Sequence, residues 1–256
     1  PAVVATMQGF TPAQCNALAT FTGTNDAAIV ELTDSRGGTT RTYQVAKLAD
    51  GKCWMLNNLK LGSTTGTTTL TPADSNVAAS FTLPQLITTG TSSYDAPQAI
   101  GPVPGDTGTG ATNYGYLYNW PAATAGASRT SNPAGSGDAQ YSICPANWRL
   151  PSGGDTGEFA MLNAKMNNAT ATTPSASGGT GYYQNWQATG PFKGAFSGWR
   201  SGSFNAQGSY GHLWSRSAHA SAAGYAHSAY FGSSYVNPDY SSNDRYYGFG
   251  VRCLLN

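Results

Sequence analysis

Apolar residues in this chain come in short clusters separated by long polar stretches, so the pattern predicts many brief elements rather than a few long ones. Thr11-Pro12-Ala13-Gln14 predicts a helix start, with Thr11 as N-cap, Pro12 at the first helical position and Gln14 closing a capping box. Ala28 to Asp34 and Thr42 to Leu48 read as strands, the first running into Ser35-Arg36-Gly37-Gly38 and the second alternating Tyr43, Val45 and Lys47. Asp50-Gly51 signals a tight turn, which predicts a hairpin of Tyr43–Leu48 with Lys52–Leu56 and places Trp54 and Leu56 on one face. Between Gly62 and Thr112 the chain is Thr, Ser, Gly, Pro and Ala with little periodicity, which predicts surface loops rather than a second domain.

The aromatic run Tyr114 to Trp120 returns the chain to the core. Asp155 is predicted to cap a second helix with Glu158 at its third position and Phe159, Leu162 and Met166 on one face. From Gly178 to Gly208 the spacing of Trp186, Phe192, Phe196, Trp199 and Phe204 suits short strands and turns. Leu213-Trp214-Ser215, Tyr230-Phe231 and Gly248 to Leu254 read as the last strands. The sum is an α+β fold with two helices, short mixed strands and a high loop content. Residues 1–30 form an N-terminal segment with a short helix packed on the domain, and residues 31–256 form a single domain.

The last forty or so residues have apolar ends and a polar middle. Large apolar residues, glycines and a cysteine build the ends at Gly211–Ser215 and Gly248–Cys253, while the interior is nearly all Ser, Ala, Tyr, His, Gly, Asn, Asp and Arg. This predicts a rigid frame around a binding face over residues 215–247.

Composition narrows the function. Only 10% of residues are charged and the net charge is +1, so nothing electrostatic points to nucleic acid or an anionic membrane. No apolar run reaches the ~20 residues of a membrane span and no export leader is visible, so any export signal and anchor are expected outside this sequence. Cys15, Cys53, Cys144 and Cys253 are widely spaced without C-x-x-C or zinc-type spacing, which predicts two disulfides and an oxidising compartment. Three pairings are open; Cys15–Cys53 with Cys144–Cys253 is preferred because each ties a peripheral segment to a core strand.

The three histidines are His212, His219 and His227. A hydrolase triad would need one of them beside a nucleophilic serine and an acid such as Asp239 or Asp244, but no strained G-x-S-x-G turn is present. His219 and His227 lack metal-site spacing, and His212 is read as a frame residue beside Trp214. Tyr225, Tyr230, Tyr235, Tyr240, Tyr246 and Tyr247 alternate with small polar residues, the mixture that antibody-type binding surfaces use. Of these, Tyr230 and Tyr247 are assigned to the core and Tyr225, Tyr235 and Tyr240 to the surface. The candidate ligand-binding residues are Arg216, Ala218, His219, Tyr225, His227, Ser234, Tyr235, Asn237, Asp239, Tyr240, Ser242 and Asp244; no catalytic and no metal-ligating residue is assigned.

Thr42-Tyr43-Gln44-Val45, Gly51-Lys52-Cys53-Trp54-Met55 and Asn57-Asn58-Leu59 resemble the opening of the Fibrobacter major paralogous domain (FISUMP). Its later blocks are matched in order by Tyr114–Trp120, Cys144–Pro151, Leu213-Trp214-Ser215 and Tyr247–Cys253, so the resemblance covers roughly residues 31 to 256. It implies a C-type-lectin-like fold, shared with formylglycine-generating enzymes and with the variable proteins of diversity-generating retroelements.

In those bacterial variable proteins, adenine-directed mutagenesis rewrites Asn-type codons that cannot yield Lys, Glu, Gln, Met or Trp. None of the five occurs between Ser215 and Tyr247, whereas they make up about one in nine of the remaining residues, so about four would be expected there. The oxidase chemistry of the formylglycine enzymes needs two nearby late cysteines, and Cys253 has none closer than Cys144. C-type-lectin-like folds commonly hold calcium, so a structural calcium ion is admitted although no D-x-D or E-P-N cluster appears; no other cofactor is expected.

These observations predict a non-enzymatic, extracellular or cell-surface ligand-binding protein with a diversified C-terminal face. Its expected partner is a protein or glycan on another cell or surface, without nucleic acid or membrane insertion, and the chain is expected to be a monomer. A carbohydrate-binding or adhesive module with a fixed site is the alternative, and an oxidase of the formylglycine-enzyme type ranks last.

Overall fold

A computed structural model of the chain describes residues 5–90, 93–127, 137–168 and 183–256. Residues 91–92 of the long Thr/Ser/Gly stretch, 128–136 after the aromatic run and 178–182 at the head of the Trp186–Phe204 segment lie outside the described residues.

The central sheet is antiparallel. It is formed by β1 (Ile29–Asp34), β2 (Arg41–Lys47), β3 (Cys53–Met55), β14 (Leu254–Leu255) and β8 (Trp148–Arg149), in that spatial order. The predicted hairpin joins β2 to β3 in the register Ala46↔Trp54, with Gly51 at φ 78° in the turn, a conformation that favours glycine. Tyr43, Val45, Cys53 and Met55 pack into one core with Trp148 and Trp214. Ala46, Leu48, Trp54 and Leu56 pack into a second with Phe159, Trp186 and Phe231. Because both faces are covered, Cys53-Trp54-Met55-Leu56 is a continuous apolar run rather than an alternating one.

The N-terminal segment is tied to this sheet. In α1 (Pro12–Ala17) Thr11 Oγ1 accepts from Gln14 N and Gln14 Oε1 accepts from Thr11 N, the predicted capping box. Of the three possible cysteine pairings the structure has the preferred one, Cys15–Cys53 and Cys144–Cys253.

Other expectations need correction. The helix expected from Asp155 is α3 (Glu158–Met166), which begins after Gly157, so Glu158 is its first residue rather than its third. Glu158 is drawn away from capping by Arg149 Nη1 and Nη2, which donate to it at 2.5 and 2.6 Å, and Ser152 Oγ accepts from its backbone N instead. A further helix, α2 (Trp120–Ala123), lies in the aromatic run, where Asn119 caps Ala122 N and Pro121 sits in the first turn. This is the same cap-and-proline signal as at Thr11-Pro12.

The 62–112 stretch is not only surface loop. It contains the hairpin β4 (Thr68–Leu70) with β5 (Phe81–Leu83), and β6 (Ala99–Ile100) pairs with β7 (Leu117–Tyr118). Leu70, Leu83 and Ile100 are buried. Strands of two or three residues are too short to leave a periodic signature, so their apolar residues look isolated in sequence.

The C-terminal region adds β9 (Trp199–Arg200) with β10 (Phe204–Asn205) and a three-stranded sheet of β11 (Tyr210–Ala218), β12 (Tyr225–Gly232) and β13 (Val236–Asp244). The polar interior of the last segment therefore lies mostly on paired strands. Gly248 to Leu254, predicted as one strand, is regular only where β14 begins; upstream it makes single bridges to Arg200, Tyr118 and Leu213. Its glycines permit the approach, since a Cβ on Gly248 would stand 2.5 Å from Ile100 Cδ1. Among the described residues no helix is long and apolar enough to cross a membrane.

Replacing Cys144 and Cys253 with serine should cost about 1 kcal/mol more than replacing Cys15 and Cys53, since the closed loops span 109 and 38 residues. Urea unfolding of the two double variants compares them, and the reverse order contradicts the loop-entropy account. Burial would raise the Glu158 carboxyl, but its Arg149 and Lys52 partners hold it down to about 2. A depressed carboxyl stabilises the fold above its unfolded value of 4.5 and loses that contribution as pH falls toward 2, here as much as about 3 kcal/mol. Thermal melts from pH 7 to pH 2 should show wild type losing stability below 4.5 while Glu158→Gln starts lower and stays flatter.

Candidate ligand-binding face

Strand β12 pairs on both sides, with β11 and β13, and its own alternation is regular. Tyr225, His227, Ala229 and Phe231 point one way, and Ala226, Ser228 and Tyr230 the other. Strand β13 carries extra residues: Ser228 pairs with Tyr240 but Tyr230 pairs with Asn237, so three β13 residues span two of β12. The bulge splits two neighbours predicted for the site. Asp239 turns to His227, while Tyr240 turns to Tyr230.

On the His227 side the polar groups hold one another. His227 Nδ1 donates to Asp239 Oδ1 at 2.5 Å, and the same oxygen accepts from Gly154 N at 2.8 Å. Ser217 Oγ donates to Asp138 Oδ1 and accepts from Gly153 N, while Arg216 pairs with Asp138 at 3.0 Å. Ser215 Oγ donates to the His227 carbonyl. Both serine hydroxyls are thus committed to partners other than the His227 ring, so neither is a nucleophile held by the His–Asp pair. His219 lies 6.1 Å from His227, ring to ring, but its Nδ1 accepts from Ser221 N. Among the described residues no three His, Cys, Asp or Glu side chains gather as a metal site.

A second group forms around Asp244. Tyr94, from the stretch read as loop, donates its hydroxyl to Asp244 Oδ1 at 2.6 Å and packs edge-on against Tyr246 at 4.8 Å. Burial, then the Asp244 carboxylate, raises the pKa of the Tyr94 hydroxyl.

On the Tyr230 side lies a cleft of about 280 Å³, walled by Trp199, His212, Tyr230, Tyr240, Tyr247 and Phe249. The His212 ring is sandwiched between Tyr230 at 4.4 Å and Phe249 at 4.6 Å, with Trp199 edge-on at 5.2 Å. It is 7% exposed, neither ring nitrogen has a hydrogen-bond partner, and burial lowers its pKa to about 3. It is therefore neutral at physiological pH.

The profile of the Fibrobacter succinogenes major domain matches residues 49–254. This chain belongs to that family. No curated protein and no solved structure matches it. The match takes in the whole cleft and the Cys144–Cys253 disulfide; α1, β1 and β2 precede it.

In this Fibrobacter major domain the predicted site residues divide by exposure. Tyr225 and Tyr240 are 38% and 41% exposed, and Ser234 and Ser242 are also exposed. Arg216, His219, His227, Tyr235, Asn237, Asp239 and Asp244 are half-buried. Ala218 is not at the surface: it is 7% exposed in the core beside Ala226, because the irregularity in β11 after Trp214 turns it inward. Tyr230 and Tyr247, assigned to the core, instead line the cleft, and with them Trp199, His212 and Phe249, which were not in the predicted face. Their aromatic character was visible in sequence, but it is equally that of core residues. Only the pairing of distant segments opens a space between them.

Asp239→Ala should cost about 1–3 kcal/mol, because it leaves His227 Nδ1 and Gly154 N without their acceptor, whereas Tyr240→Ala should cost under about 1 kcal/mol. Thermal denaturation of the two variants distinguishes anchored from free face residues; equal losses would contradict this division.

Proposed function

We propose that this chain is an exported, surface-displayed ligand-binding protein, the variable protein of a diversity-generating retroelement, carrying a diversified C-terminal face on a C-type-lectin-like scaffold. The observation that carries this reading is the absence of Lys, Glu, Gln, Met and Trp from Ser215 to Tyr247. That window coincides with most of the β11–β13 sheet, where Tyr225, Ser234, Tyr240 and Ser242 reach solvent. Rigid tyrosines among small polar residues suit a surface that meets changing partners. The frame is locked by two disulfides, which suit an oxidising, extracellular setting. Binding, rather than catalysis, fits a His227–Asp239 pair whose neighbouring hydroxyls are committed elsewhere.

One observation favours the alternative of a fixed, carbohydrate-binding or adhesive site. Trp199, His212 and Phe249, half of the cleft's aromatic wall, lie outside the window and would not vary with it. The encoding locus decides. A nearby reverse transcriptase, with a near-copy of the codons for 215–247 differing at adenines, is the expected finding. A locus lacking both sinks the diversified reading and leaves the fixed site.

A further inference from the structure

We propose that the aromatic cleft binds a methylated ammonium group, the cation of choline or of a trimethylated lysine. This rests on β11–β13 serving as a ligand-binding face, but not on that face being diversified.

The walls carry the argument. Trp199, His212, Tyr230 and Tyr240 form a continuous series of ring contacts at 5.2, 4.4 and 6.2 Å, and Phe249 and Tyr247 continue it from the other face of His212 at 4.6 and 6.0 Å. Ring faces are electron-rich and attract cations, most strongly where water is displaced. His212 lines the cleft and stays neutral, so it adds no opposing charge. Behind the wall the Asp244 carboxylate accepts from Tyr94 and lies beside Tyr247, whose hydroxyl burial raises first and Tyr246 and Asp244 raise further. Arg200 is directed away, following Trp199 on β9 and donating to Gly90 O.

The polar inventory selects among ligands. Besides the tyrosine hydroxyls and the Trp199 indole N–H, the lining offers the amide of Asn243, whose nitrogen is committed to Ser228 Oγ and the Tyr240 carbonyl. Both His212 nitrogens are shut away from solvent. A lysine ammonium would bury three donors in a lining that holds no carboxylate, and a sugar ring would bury hydroxyls on every side against a wall that is mostly ring surface, each at a cost. A methylated ammonium has no N–H to satisfy and presents a charged apolar surface. The volume of about 280 Å³ is small for a drug-sized ligand and suits one headgroup with the start of its tether.

Calorimetric titration of the full chain with choline, and with its uncharged isostere 3,3-dimethylbutan-1-ol, isolates the charge. Choline should bind at least about tenfold more tightly than the isostere, and Tyr240→Ala, at an exposed position, should weaken choline about five- to thirtyfold with the melting temperature nearly unchanged. Equal affinity for the isostere, binding of methyl glucoside without choline, failure of choline to bind, or an unaffected Tyr240→Ala variant would each overturn the proposal. Choline binding by a chain whose locus lacks a template copy would keep this site and end only the diversified reading. A template copy with no choline binding would do the reverse.

Discussion

The segment Gly248 to Leu255 is the constraint on which the rest depends, because separate parts of the fold meet along it. Arg200 N, Tyr118 N and Trp214 N donate to the carbonyls of Gly248, Phe249 and Gly250, and farther along Leu59 N and Met55 N donate to those of Val251 and Cys253. Cys253 then binds Cys144. Arg252 is fully buried and among the described residues has no carboxylate partner: it donates to Asn58 Oδ1 and to the carbonyls of Phe192 and Lys193, with the Phe192 ring 4.5 Å from it. Burial lowers its pKa to about 9, so the group remains a cation at neutral pH, hydrogen-bonded to carbonyl and amide oxygens. A buried charge held this way makes the surrounding chain positions strongly interdependent, because displacing one acceptor leaves the charge less satisfied.

That arrangement also positions the candidate site. Gly250 N donates to the His212 carbonyl while Phe249 stacks on the His212 ring, so the terminal segment sets both the backbone and the side chain at the floor of the cleft. The β12–β13 hairpin is braced between its strands by Asp239 on His227 and at its open end by Asp244 on Tyr94. The face is thus braced by its own half-buried polar residues and offers its exposed tyrosines and serines to solvent. A surface of this kind tolerates change at Tyr225, Ser234, Tyr240 and Ser242 far more readily than at Asp239 or Asn243, whose bonds hold the strands in register.

Two parts of the chain meet at the cleft. Trp199, His212 and Phe249 come from the frame, and Tyr230, Tyr240 and Asn243 from the window that lacks five residue types. Under the diversified reading proposed above, the first set would keep one chemical preference while Tyr240 at the exposed rim altered what surrounds it.

Local sequence determined the elements whose causes are local. The Thr11 capping box, the Asp50-Gly51 turn and the hairpin it closes need only neighbours along the chain, and the family, matched over residues 49–254, was legible in the sequence blocks that fall in that range. The preferred disulfides, too, were the observed ones. What only tertiary structure decided was orientation and accessibility. Glu158 left its expected capping role because Arg149, on strand β8, competes for its carboxylate. Ala218 turned inward, and Asp239 and Tyr240 parted to opposite faces, because strand irregularities change which side a residue meets and leave no mark in composition. Tyr94 joined the face from a stretch without periodicity, and the cleft arose where Trp199, His212, Tyr240 and Phe249 converge. An aromatic residue looks the same in sequence whether it fills a core or lines a cleft; the difference is the space left beside it, which long-range packing creates.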